Sequence, residues 1–141
     1  MREIKFRGKR ISDGNWVHGY FVNVEDRPQI IFEDVNGMYV AEDVISDTIG
    51  QFTGLCDKNG IEIYEGDIVC VPYIDCIFGD LVGEEIDYNF KFVVYFKEQS
   101  FVICNEDRGN VLISDFKRTQ IEIIGNIHDN PELITKDARN A

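Results

Sequence analysis

Isoleucine and valine number 32 in this chain, whereas leucine and alanine together number only 7. β-Branched side chains lose rotamer freedom against the preceding turn of a helix, and they pack well on a pleated surface. A helical protein would reverse that ratio, so the sequence predicts an all-β or strongly β-dominated fold with few, short helices. The longest apolar runs fall well short of the ~20 residues needed to span a membrane. The opening Met1–Arg7 is basic and is not followed by the apolar segment of an export signal, which points to the cytoplasm.

Periodicity places individual strands. Phe90, Phe92, Val94 and Phe96 alternate with Lys91, Val93, Tyr95 and Lys97, which gives that segment one wholly apolar face. Lys97-Glu98-Gln99-Ser100 then turns the chain into Phe101–Cys104 as a hairpin. Ile61-Glu62-Ile63 and Ile121-Glu122-Ile123 each put two isoleucines on one face. Further strands are expected around Ile4–Phe6, Asn15–Val24, Gln29–Phe32, Met38–Val40 and Ile68–Val71. Asp13-Gly14, Asn36-Gly37 and Asn59-Gly60 are dipeptides that accept the positive φ of tight turns, and Glu65-Gly66-Asp67 and Arg108-Gly109-Asn110 mark other bends. Two short helical turns are expected, one at about Ile113–Arg118 and one opening at Asn130, where Pro131 and Glu132 suit a first turn. The stretch from Ile74 to Tyr88 reads as a long loop.

The 141 residues suit one domain or two small ones. A boundary near Lys58 divides a small N-terminal sheet (residues 1–57) from a closely packed C-terminal part (residues 58–141). The short strands of the latter, opened by Gly66-Asp67-Ile68-Val69, suit an SH3-like barrel. The stretch 48–60 reads as an irregular, hydrogen-bonded crossover between the two.

Charge narrows the range of partners. Residues 1–10 hold five bases against one acid, a net of +4, so a chain of net charge −12 carries −16 on the remainder. Asp75, Asp80, Glu84, Glu85 and Asp87 follow one another with no base between them. Such a surface repels phosphate, which disfavours direct nucleic-acid binding. It is a solubilising face, a docking face for a basic partner, or a mimic of nucleic acid.

Little in the chain has the spacing of reactive chemistry. Cys56, Cys70, Cys76 and Cys104 fit no paired zinc pattern and read as four reduced thiols. No cofactor or metal is expected. Pairs such as Glu65 with Asp67, or Glu42 with Asp43, are abundant by chance among 26 acids. His18 lies in a strand-like run beside Trp16 and Tyr20, and His128 reads as solvated beside the terminal turn. The densest pattern is Thr48–Asp67, whose Gln51, Thr53 and Asp57 are the candidate binding residues if that stretch lines a site rather than serving as architecture.

The block Thr48-Ile49-Gly50-Gln51-Phe52-Thr53-Gly54-Leu55-Cys56-Asp57-Lys58-Asn59-Gly60, continuing through Ile61-Glu62-Ile63-Tyr64-Glu65-Gly66-Asp67-Ile68-Val69, resembles the hallmark of the YopX family of bacteriophage and prophage proteins. The likeness extends to Ile4-Lys5-Phe6-Arg7-Gly8-Lys9, to Gly14, Trp16 and Gly19, and to Ile124-Gly125-Asn126-Ile127-His128-Asp129-Asn130-Pro131-Glu132-Leu133. Cys56 stands where the family more often has a longer polar residue. The resemblance implies a phage-encoded cytoplasmic protein of the host bacterial cell that tends to form homo-oligomers, and it supplies no catalytic residues. Three functions follow as expectations. The first is a non-enzymatic accessory or interaction protein with a host or phage partner. The second is an acidic decoy of a host nucleic-acid-binding protein. The third is a small carboxylate-dependent hydrolase using His18.

Overall fold

The computed structural model describes residues 4–72, 89–105, 109–113 and 121–134. Their architecture is all-β: eleven strands, paired antiparallel, with helical structure limited to short 3-10 turns such as Ser46–Thr48 and Pro131–Ile134. No helix among the described residues is long and apolar enough to cross a membrane. The chain divides into two compact units, residues 1–54 and 55–141.

The first unit holds β1 (Phe6–Lys9), β2 (Trp16–Val24), β3 (Arg27–Glu33), β4 (Tyr39–Asp43) and all but the last two residues of β5 (Gly50–Cys56), in the order β4-β3-β2-β1-β5. Its core comprises Val17, Ile30 and Val44, with Phe6, Phe32 and Ile49 packed against them. Register explains the set: Phe21 lies opposite Ile30, and Phe6 opposite Gly19, so these positions share one face of the sheet. Gly19 is required there, because a Cβ would collide with the Ile31 carbonyl oxygen.

β5 corrects the expectation of an irregular crossover. Gln51 and Gly50 pair with Phe6 and Arg7, and the Phe52 N–H donates to Lys5 O at 2.7 Å. Two glycines and several polar residues disguised a regular strand, because an interior strand needs satisfied backbone groups more than it needs high propensity.

β6 (Glu62–Tyr64) returns as a hairpin from β5. Here Ile63 is fully buried but Ile61 is 55% exposed. The two isoleucines are not equivalent, because Ile61 still belongs to the turn and its N–H donates to the Asp57 carboxylate. The main sheet of the second unit runs β10 (Gly109–Leu112), β9 (Ser100–Asn105), β8 (Asn89–Lys97), β7 (Asp67–Pro72), β11 (Glu122–Asn126). Its core gathers Ile63, Val69, Val71, Phe92, Val94, Phe101, Ile103, Ile113 and Ile121. Each fully buried side chain of this size contributes about 1.5–3 kcal/mol relative to exposure. The alternation in β8 behaves as its sequence predicts at Phe92 and Val94, while Phe96 at the strand end is 39% exposed and rests on Phe101.

The strand order of this sheet is open, with β10 and β11 at its ends, so a closed SH3-like barrel is not seen among the described residues. Closure would need main-chain pairing between β10 and β11, which the sheet order among the described residues does not contain. At the bend expected at Arg108–Asn110, Gly109 has φ +79° and opens β10, while Arg108 lies outside the described residues. The acidic stretch 75–87 and most of the helical turn expected at 113–118 lie outside the described residues, as does Cys76. Cys56, Cys70 and Cys104 are half-buried.

Candidate functional site

Asp57 is 2% exposed, and its carboxylate is taken up by the main chain. Oδ1 accepts from the N–H groups of Asn59 (2.9 Å) and Ile61 (3.0 Å), and Oδ2 accepts from the N–H of Ile123 (3.0 Å), 66 residues away. The Lys58 N–H donates to Ile121 O at 2.9 Å, and its ammonium lies 3.1 Å from the Glu122 carboxylate. This turn is therefore the joint that ties β11 to the segment entering β6.

The same turn occurs earlier without the joint. Asp34-Val35-Asn36-Gly37-Met38 repeats the pattern Asp57-Lys58-Asn59-Gly60-Ile61, and Asp34 Oδ1 accepts from Asn36 N (2.9 Å) and Met38 N (3.0 Å). In both, the glycine N–H returns to the aspartate carbonyl, and the glycine sits at φ +80° or +81°. The shared Asp-x-Asn-Gly pattern is a sequence signal for this geometry that the Asn-Gly dipeptides alone understate.

The other motif residues do similar work. Asp67, 2% exposed, accepts from the Tyr64 N–H at 2.7 Å, and the Gly66 N–H donates to Val94 O at 2.8 Å. At the C-terminal block, Asn126 Oδ1 accepts from the N–H groups of His128 (3.0 Å) and Asp129 (2.9 Å). The Asn130 Oδ1, just before the 3-10 turn, accepts from the Asn126 N–H at 3.2 Å. Gly125 must lack a Cβ, which would lie 2.6 Å from that same oxygen. Trp16 is stacked by the Arg7 guanidinium at 4.5 Å and the Lys9 ammonium at 5.5 Å from its ring centre.

Of the three candidate binding residues, Gln51 and Thr53 lie two apart on one face of β5, the first half-buried and the second 5% exposed. The Asp57 carboxylate is turned into its own loop and toward β11. Among the described residues, no group of three or more His, Cys, Asp or Glu side chains is placed to hold a metal ion. Glu42 and Asp43 face Arg10 (3.8 Å) and Arg27 (3.9 Å), and Asp43 also accepts from Gln29 Nε2 at 2.9 Å. His128 is half-buried rather than solvated.

His18 is exposed and borders a groove of about 200 Å³ on the outer face of the first unit's sheet, with Ile4, Lys5, Tyr20, Ile31 and Tyr39. Tyr20 lies opposite Ile31 across the β2–β3 ladder, and Tyr39 lies opposite Glu33 on the next strand. Tyr20 and Tyr39 are 63% and 68% exposed, and neighbouring Met38 is 64% exposed. Exposed aromatic and apolar side chains gathered on one sheet face form a patch of the kind that marks an interaction site. Nothing in the periodicity of β2 separates this face from an ordinary strand face, because Tyr20 and Phe21 point to opposite sides and both are aromatic.

Comparison with known proteins agrees with the resemblance. The profile of one family, described as YopX protein, matches residues 5–135. No curated protein matches the chain. Among solved structures, protein EF1440 from Enterococcus faecalis is similar at 24% identity with a TM-score of 0.55, covering 96% of this chain and 100% of its own, a likeness of fold.

Proposed function

The chain belongs to the YopX family, and on that premise we propose that it is a phage-encoded, cytoplasmic, non-enzymatic interaction protein that works by docking a second copy of itself through the outer face of β2–β4. The observation that carries this reading is the groove between exposed Tyr20 and Tyr39, floored by Ile31 and flanked by Lys5 and His18. Tyrosines of this kind are the usual anchors of protein interfaces. Charge complementarity names the occupant: outside its first ten residues the chain carries −16, so a second copy offers acidic surface to the Lys5 end of the groove. The non-enzymatic part draws support from Asp57 and Asp67, the two buried acids of the family's central block, whose carboxylates accept hydrogen bonds from backbone N–H groups.

Hydrogen–deuterium exchange at submicromolar and at high micromolar concentration tests the reading. Peptides covering β2 and β4 are expected to gain protection as concentration rises, while β7–β9 stay unchanged. Exchange that is independent of concentration across β2–β4 would remove the proposal's basis.

A further inference from the structure

The strongest feature that the proposed function leaves unused is a concave site on the second unit. On the face of β8 opposite to Phe92 and Val94 lie Lys91, Val93 and Tyr95, of which Lys91 and Tyr95 are half-buried and Val93 is only 6% exposed. Register extends Val93 into a cross-strand row, because Val93 lies opposite Cys104 and Cys104 opposite Asn110. A bare sheet face of this kind would be flat. It becomes a cavity of about 250 Å³ because Leu133 and Ile134, from the 3-10 turn Pro131–Ile134, form a wall. The position of that turn is set by the reciprocal Asn126–Asn130 hydrogen bonds and by the close approach at Gly125.

The chemistry of the lining is selective. The chain holds 26 acids against 14 bases, yet the described lining residues include one lysine and no aspartate or glutamate. Among the described residues Lys91 makes no ion pair, whereas Arg10, Arg27 and Lys58 each have a carboxylate partner. Tyr95 and Asn110 add a hydroxyl and an amide that can donate. Burial, reinforced by Cys104 and Glu65, pushes the Tyr95 phenol above its ordinary value, and like any phenol at neutral pH it is a hydroxyl donor. Val93, Leu133 and Ile134 supply the apolar side. A partly enclosed lysine with no counter-ion among the described residues, beside neutral donors and aliphatic walls, is the complement of a small carboxylate with a hydrophobic body.

We propose that this cavity is a binding site for a small organic monoanion, its carboxylate at Lys91 and its apolar part against Val93, Leu133 and Ile134. The volume lies below the roughly 300–1,000 Å³ of sites for drug-sized ligands, which limits the ligand to about the size of benzoate or a short fatty acid. The site is separate from the outer face of the first unit, so it stands or falls independently of self-association.

Titration of the full-length, isotopically labelled chain with sodium benzoate and sodium hexanoate, followed by amide chemical shifts, tests the proposal. The expected result is saturable shifts confined to β8–β10 and residues 131–134, for at least one of the two anions. Neutral benzamide should bind at least about tenfold more weakly, in keeping with loss of the charge-assisted contact. Lys91→Gln should weaken the anion at least about tenfold, and Ile134→Trp, which fills the cavity from its wall, should abolish the shifts while the rest of the spectrum keeps its dispersion. Absence of saturable shifts with both anions would overturn the proposal. So would equal affinity for benzamide, or affinity unaltered in both variants.

Discussion

Asp34 and Asp57 are an experiment the chain has already set up, since each accepts the same two backbone N–H groups in the same Asp-x-Asn-Gly turn. Only Asp57 accepts a third, from Ile123, and only Asp57 is nearly excluded from water. At Asp34 water can replace the lost acceptor, so Asp34→Ala is expected to cost about 1 kcal/mol. At Asp57 the substitution removes a buried acceptor, leaves the half-buried Ile123 N–H on β11 unmet and releases the joint, and Asp57→Ala is expected to cost about 3 kcal/mol. Urea unfolding of the two variants side by side measures the difference. Equal losses would mean that the Ile123 bond contributes nothing. Asp57 was visible in the sequence as a pattern-dense residue, but its use was not, because the donor it satisfies lies 66 residues away.

Two hairpins turn on residues that fit their backbone poorly. Glu25 and Asp26, between β2 and β3, have φ +49° and +65°; Glu98 and Gln99, between β8 and β9, have φ +50° and +66°. Positive φ at both central positions is the type I′ geometry that prefers Asn-Gly. Replacing either pair by Asn-Gly is expected to raise stability by about 1 kcal/mol, read as a higher midpoint in thermal or urea unfolding with the fold unchanged. A fall in the midpoint would show that the native side chains contribute contacts that outweigh the strain. These turns also mark what the sequence disclosed at this scale. The Glu98–Gln99 turn was legible because alternating apolar runs flank it, and the glycine turns at Gly14, Gly37 and Gly60 were legible from the glycines themselves. β5 was not legible, since its glycines and threonine hide a strand whose place is secured by the pairing of β1 with Gly50 and Gln51. Nor was the wall over β8 legible, since nothing in Pro131–Ile134 says which strand it will rest against.

In the whole molecule the polar residues of the family's blocks and the surface available for binding are largely different sets. The blocks hold joints: Asp57 to β11, Asp67 at the Tyr64 turn, Asn126 with Asn130, and Gly19 beneath Ile31. The exposed aromatic face of β2–β4 and the cavity on β8–β10 lie largely outside them. A strong overall negative charge keeps such a chain soluble and makes any association through Lys5 sensitive to salt. The most direct test of the interaction reading is the mass in solution by light scattering, at tens of micromolar protein and low salt, for the native chain and for Tyr20→Ser/Tyr39→Ser. The native chain should exceed its 16.2 kDa monomer mass, and the double variant should return to it with an unchanged strand spectrum. A native chain that stays monomeric, or a double variant that associates as before, would contradict the account.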